Sequence, residues 1–210
     1  MNWNRLVLAG MAALAVIMGW QLYQKRNADN GQLSINMSGD TLVLSWRGQI
    51  EIPMSSSMRR AFQQHKDQTT KVVLILNSQG GALREGSEVI DLLEQAKRTS
   101  QLTTIVPPQG ICMSMCVPIF LHGQSRIAAA DSRFMFHEPK RFYDDGTEAR
   151  GFSFEREALS RRFFEKYFVN SPIDPAWLKA LEQQWVGKDV FKTGRELVDE
   201  RTNVVTGLVR

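Results

Sequence analysis

Cysteine is scarce. Two in 210 residues cannot frame a disulfide scaffold, and a chain of this length can bury a core without one. Histidine is scarce as well. The three present, His65, His122 and His137, are scattered and form no Cys/His cluster with metal-ligand spacing, so no metal site is expected and no cofactor motif is found. With 15 Gly and 7 Pro the chain is neither collagen-like nor low in complexity, and no internal repeat is visible. A surplus of positive charge is lacking as well, despite a net charge of +4. Arg5, Lys25 and Arg26 lie in the first 26 residues, which hold no acid, and the remainder balances 23 basic against 22 acidic side chains. A body that close to neutral has no footprint for a phosphate backbone, so nucleic acid is not expected as a partner.

What is present begins with a long apolar run. From Leu6 to Trp20 no side chain is charged or strongly polar, and the run reaches Tyr23 if Gln21 is tolerated, giving 15 to 18 residues. Export-signal cores span about 7–15 residues and membrane-crossing helices roughly 20, with 17 the short limit. Residues 1–26 therefore read as a signal-anchor or a signal peptide. The lack of a small-residue cleavage site after the run favours an uncleaved anchor, with the body outside the cytoplasm. Residues 27–32 read as a polar linker, and 33–210 as one domain.

The body alternates strand and helix patterns. Thr41–Trp46 is a strand, and Met54–His65 a helix. Lys71–Leu76 is a continuous apolar strand suited to burial on both faces. The turn Asn77-Ser-Gln-Gly80-Gly81 then leads to a helix over Leu83–Arg98, whose Arg84, Glu85 and Glu88 are placed on the solvated face. Thr103–Val106 is extended, Met113–His122 a short buried helix, and Arg133–Phe136 another strand. Lys140–Gly151 reads as a surface loop. Phe154–Phe168 reads as an aromatic-rich helix, whose rings either pack on the sheet or form a subunit interface. Asp174-Pro175 caps and starts a further helix. That order describes an α/β crossover sheet covered by helices.

Three segments carry chemistry together. Gly80-Gly81 can leave a backbone amide free to face a cleft. Ser114, in Cys112-Met-Ser114-Met-Cys116, sits where a strand hands over to a helix, and the following amide on Met115 can point at an oxyanion. His137, in Phe136-His137-Glu138-Pro139, ends an apolar strand. All three lie at strand ends, where sites in alternating folds gather. Cys112 and Cys116 flank the serine. They are either two buried thiols or, in an oxidising compartment and with the backbone bent, a disulfide.

In this order and spacing, Leu76-Asn-Ser-Gln-Gly-Gly81, Ser114 ahead of Phe120-Leu-His-Gly123, and Ser132-Arg-Phe-Met-Phe-His137-Glu-Pro139 resemble the Clp protease proteolytic subunit. More broadly the segment from Leu42 to Val205 looks like the Clp-protease/crotonase superfamily, especially its exported single-domain members. The resemblance implies an α/β, ClpP/crotonase-like fold of stacked β-β-α units behind the N-terminal hydrophobic anchor helix. It implies Ser114 as nucleophile, His137 as general base, and the Gly81 and Met115 amides as an oxyanion hole. It also implies peptide or protein substrates and a homo-oligomer. The family's acid falls on Trp185 here, four residues before Asp189-Val-Phe191, so Asp189 is the nearest substitute and Glu182 the next. Three functions remain open: an exported or membrane-anchored serine hydrolase, a non-catalytic oligomeric interaction module, and an acyl-thioester enzyme using the two amides alone. Retention of Ser114 and His137 together favours the first.

Overall fold

The computed structural model describes residues 31–140 and 153–209. The expected anchor over residues 1–26 and most of the Lys140–Gly151 loop lie outside the described residues. Among those residues no helix is long and apolar enough to cross a membrane.

Two sheets are built by one winding chain. Strands β1 (Gln32–Ser38) and β2 (Thr41–Arg47) form an antiparallel hairpin. β3 (Lys71–Asn77), β4 (Gln101–Val106) and β6 (Ser125–Ala128) then add to β2 in parallel, and the two-residue β9 (Gly207–Leu208) closes the sheet in the order β1-β2-β3-β4-β6-β9. A second sheet, β5-β7-β8, contains β5 (Ile111–Met113), β7 (Arg133–Phe136) and β8 (Val190–Thr193). Isolated parallel bridges pairing Ile50 with Gly81 and Ser78 with Cys112 extend this second layer. Each turn of the chain thus runs from the large sheet through the second layer and into a helix. β2 leads through Ile50 to α1 (Met54–His65), β3 through Ser78–Gly81 to α2 (Leu83–Ala96), and β4 through β5 to α3 (Cys116–Leu121).

Residue patterns explain the layers. In β2, β3 and β4 buried side chains alternate with half-buried ones, so Leu42, Leu44, Val72, Leu74 and Leu76 form the core while Val73 and Ile75 keep partial exposure. Burial of β3 on both faces is therefore only partly realised. Val89, Leu92 and Leu93 of α2 and Met54 and Met58 of α1 complete that core at helical spacing.

Several expectations are corrected. Glu85 is only 5% exposed, and its Oε1 accepts the Ser55 N–H at 2.6 Å, so it caps the first turn of α1 rather than facing solvent. The helix expected over Met113–His122 is split, with Met113 in β5 and the helix beginning at Cys116. The late aromatic helix is α4 (Ser153–Phe164), continued by a π-helical turn, Glu165–Val169. Its later rings pack within the chain, whereas Phe154 is exposed. Phe163, Phe164, Tyr167 and Phe168 are buried, and the cluster reaches Phe136 of β7 and Trp185 at the end of α5 (Pro175–Trp185). Asp174 caps α5 by accepting the Trp177 N–H at 2.9 Å. The capping box of Thr193 and Glu196 opens α6 (Gly194–Asp199).

Candidate active site

Gly81, Ser114, His137 and Asp189 all lie at one edge of the second layer: Gly81 in its bridge to Ile50, Ser114 and His137 just past the ends of β5 and β7, and Asp189 just before β8. Ser114 follows the last residue of β5 and takes φ +53°, a left-handed conformation that an L-residue other than glycine adopts at a cost of about 1–3 kcal/mol. Two hydrogen bonds hold it: its N–H donates to the Met135 carbonyl and its own carbonyl accepts the Val117 N–H, each at 3.0 Å. The first of these ties the serine to β7 two residues before His137.

The glycine turn is packed directly against the serine. Gly80 has φ +94°, and a Cβ there would stand 2.6 Å from both the Met113 carbonyl oxygen and the Ser114 Cβ. No side chain fits. Gly81 follows at φ +153°, paired with Ile50 so closely that a Cβ would lie 2.4 Å from the Ile50 oxygen. The bridge uses the Ile50 N–H to the Gly80 carbonyl and the Ala82 N–H to the Ile50 carbonyl, both 2.8 Å, and leaves the Gly81 N–H without a partner among the described residues. The Met115 N–H, before the first turn of α3, is likewise unpartnered there. Two backbone donors, one on the residue after the serine and one in the glycine turn, are thus uncommitted among the described residues.

His137 presents its two nitrogens to different surroundings. Nε2 is buried and has no hydrogen-bond partner among the described residues. Nδ1 faces Asp189 Oδ1 at 3.9 Å, too long for a hydrogen bond. Burial pushes the imidazole pKa below its ordinary 6.5, against the upward pull of the Asp189 carboxylate, and so favours the neutral ring. Ser114 and His137 are not hydrogen-bonded to each other; such pairs commonly tighten only when substrate is bound.

Strand register brings the acid to the histidine. β7 and β8 are antiparallel with Phe136 opposite Val190, so the next positions along, His137 and Asp189, face one another. Glu138 Oε2 accepts the Gly187 N–H at 2.8 Å and ties the turn before β8 to the end of β7. Trp185, at the position where the resemblance places an acid, is 2% exposed and surrounded by Phe163, Phe164 and Phe168, with centroids 4.8–6.2 Å away. It holds the segment down instead of orienting the imidazole. The Glu138 tether was missed in the sequence, where nothing distinguishes it from a surface carboxylate.

Cys112 and Cys116 are joined, with a Cα–Cα separation of 5.2 Å, and both are fully buried. The bond spans the serine. Among the described residues no group of three His, Cys, Asp or Glu side chains is placed to hold a metal ion.

Comparison with known proteins agrees with this architecture. The family model described as Clp protease matches residues 47–162, more than half of the chain. Two curated relatives, the ATP-dependent Clp protease proteolytic subunits of Staurastrum punctulatum and Angiopteris evecta, are each 29% identical over 134 residues, or 62% of this chain. The match spans 63% and 64% of their own lengths. A mutant ClpP1 from Listeria monocytogenes superimposes with a TM-score of 0.60 over 81% of this chain and 91% of its own, at 15% identity. At that identity the likeness establishes the fold.

Proposed function

Because this chain belongs to the Clp protease family, we propose that it is a serine peptidase in which Ser114 attacks the carbonyl of an extended peptide or protein substrate. The observation that carries the reading is the buried Nε2 of His137, unpartnered among the described residues and one position past the strand that hydrogen-bonds Ser114. A serine hydroxyl is a weak nucleophile at neutral pH, and a neutral imidazole that reaches it supplies the missing base. Nε2 takes the Ser114 proton as Oγ adds to the carbonyl carbon. The Gly81 and Met115 N–H groups receive the negative charge on the carbonyl oxygen, where losing one donor typically costs about 3–4 kcal/mol of barrier. The imidazolium so formed faces the Asp189 carboxylate, then returns its proton to the leaving amine, and water releases the acyl group by the same route.

The test is direct. Incubation with a fluorophosphonate probe, digestion and peptide mass spectrometry are expected to find the adduct on Ser114. A non-catalytic interaction module is the second reading, favoured by Trp185 at the acid position, and an unlabelled Ser114 would select it.

The charge on Asp189 has a definite sign of effect. It raises the pKa of His137, so Asp189→Asn is expected to shift the acid limb of the labelling rate to lower pH. Loss of orientation lowers the plateau by about tenfold, less than for a buried hydrogen-bonded triad acid because Asp189 is 44% exposed and not in hydrogen-bond contact. Measured pH–rate profiles of the two chains decide it; superposable curves would remove Asp189 from the mechanism.

The proposal extends to location and assembly. Residues 1–26 anchor the domain in the inner membrane or direct it to the periplasm, a placement supported by the apolar run and by a disulfide of the kind that persists in oxidising compartments. Copies of the chain associate, as the resemblance implies.

A further inference from the structure

We propose that the Cys112–Cys116 bond is a positioning device that holds Ser114 and the Met115 amide in their reactive arrangement, an inference whose kinetic readout rests on the peptidase reading above. Among the described residues four non-glycine positions have positive φ: Gln109, Ser114, Arg201 and Asn203. Three are exposed turn residues; Ser114 alone is half-buried. A conformation of this cost persists only where the surroundings over-determine it. The hydrogen bonds to Met135 and from Val117 fix the serine's own N–H and carbonyl, but neither engages the Met115 N–H.

The disulfide supplies the remaining constraint. Its first end is held in the second layer: Cys112 is bridged to Ser78, and the flanking Ile111 carbonyl and Met113 N–H hydrogen-bond the Ser78 backbone at 2.8 and 3.0 Å. Its other end is the first residue of α3. The bond therefore ties the start of that helix to the strand beside the Gly80-Gly81 turn. Relaxing Ser114 to a negative φ would carry Cys116 away from Cys112, which the bond forbids. A cross-link closing so short a loop restricts the unfolded chain far less than one closing a long loop, so its main effect is local.

Opening the bond is a two-electron step. A dithiol reductant delivers two electrons and two protons, the S–S bond becomes two thiols, and the reductant closes to its own disulfide. Because both sulfurs are buried, brief denaturation in the presence of the dithiol followed by refolding gives the reduced chain, with Cys112→Ala/Cys116→Ala as a bond-free variant that needs no reduction.

The experiment compares oxidised full chain, reduced chain and double variant by fluorophosphonate labelling rate, thermal midpoint and amide NMR. Labelling is expected to slow at least tenfold in both bond-free forms, with amide shifts confined to residues 112–117 and their contacts, and reoxidation is expected to restore the rate in the reduced chain alone. An unchanged rate and unchanged Ser114 and Met115 resonances, with two free thiols counted, would overturn the inference. So would a slowdown accompanied by shifts throughout the spectrum and a matching fall in thermal midpoint, which marks a general structural role. If the oxidised chain is not labelled at all, the peptidase reading fails, and the Ser114 and Met115 amide shifts alone decide whether the bond positions the turn.

Discussion

Ser114→Ala and His137→Ala are each expected to lower fluorophosphonate labelling and peptide hydrolysis by roughly 10^4-fold or more while leaving the chain folded. The two substitutions remove different things. Alanine at 114 deletes the hydroxyl that attacks in the proposed mechanism, and because that hydroxyl has no hydrogen-bond partner among the described residues, no buried partner is orphaned. Alanine at 137 leaves the hydroxyl with no base, and it removes an Nε2 that is buried without compensation, a group whose desolvation is unfavourable in the folded state. His137→Ala is accordingly expected to keep or slightly raise the thermal midpoint, the opposite of what deleting a structural side chain does. Because the residues act as one unit, the double variant should be no slower than either single one. A clearly additive double variant would mean that Ser114 and His137 work apart, and the paired mechanism would be wrong.

Gly80→Ala is expected to have the second-largest effect, through geometry instead of chemistry. Its Cβ would meet the Met113 carbonyl oxygen and the Ser114 Cβ at 2.6 Å, and neither can swing aside as the end of a long side chain would. Its φ of +94° is also unfavourable for any L-residue. Clash and strain together should cost about 2–3 kcal/mol of stability, read as a lower urea midpoint at unchanged slope. The nucleophile turn must move to relieve the contact, so labelling should fall by about 10^2-fold even at temperatures where the variant is fully folded. Wild-type labelling in folded Gly80→Ala would show that the turn and the serine are not packed as described.

The core of the molecule was legible because its signals are local. The apolar run Lys71–Asn77, the glycine turn and the amphipathic helix after it declare themselves by periodicity and by residues that permit unusual backbone angles. Ser114 and His137 stand out as candidates only as a combination, through order and spacing. The parts that escaped depend on distant pairings. β1 was overlooked although Leu33, Ile35 and Met37 alternate, because only one of its edges is paired and its residues stay largely exposed. β8 is four residues long with a lysine and a threonine among them, and nothing within it announces a strand. Yet its register with β7 is what puts Asp189 beside His137. Glu85 was misread for a related reason: helical spacing places it on an outer face, and only the approach of α1 turns that face inward.

The winding of the chain sets when the chemistry can appear. In the proposed mechanism the amides, hydroxyl, imidazole and carboxylate come from positions 81 and 115, 114, 137 and 189, so the centre closes only after pairings as distant along the chain as Arg133 with Thr193 have formed. Long-range pairings of that kind arrive late in folding. On that mechanism a nascent copy has no assembled centre while its own backbone is still extended.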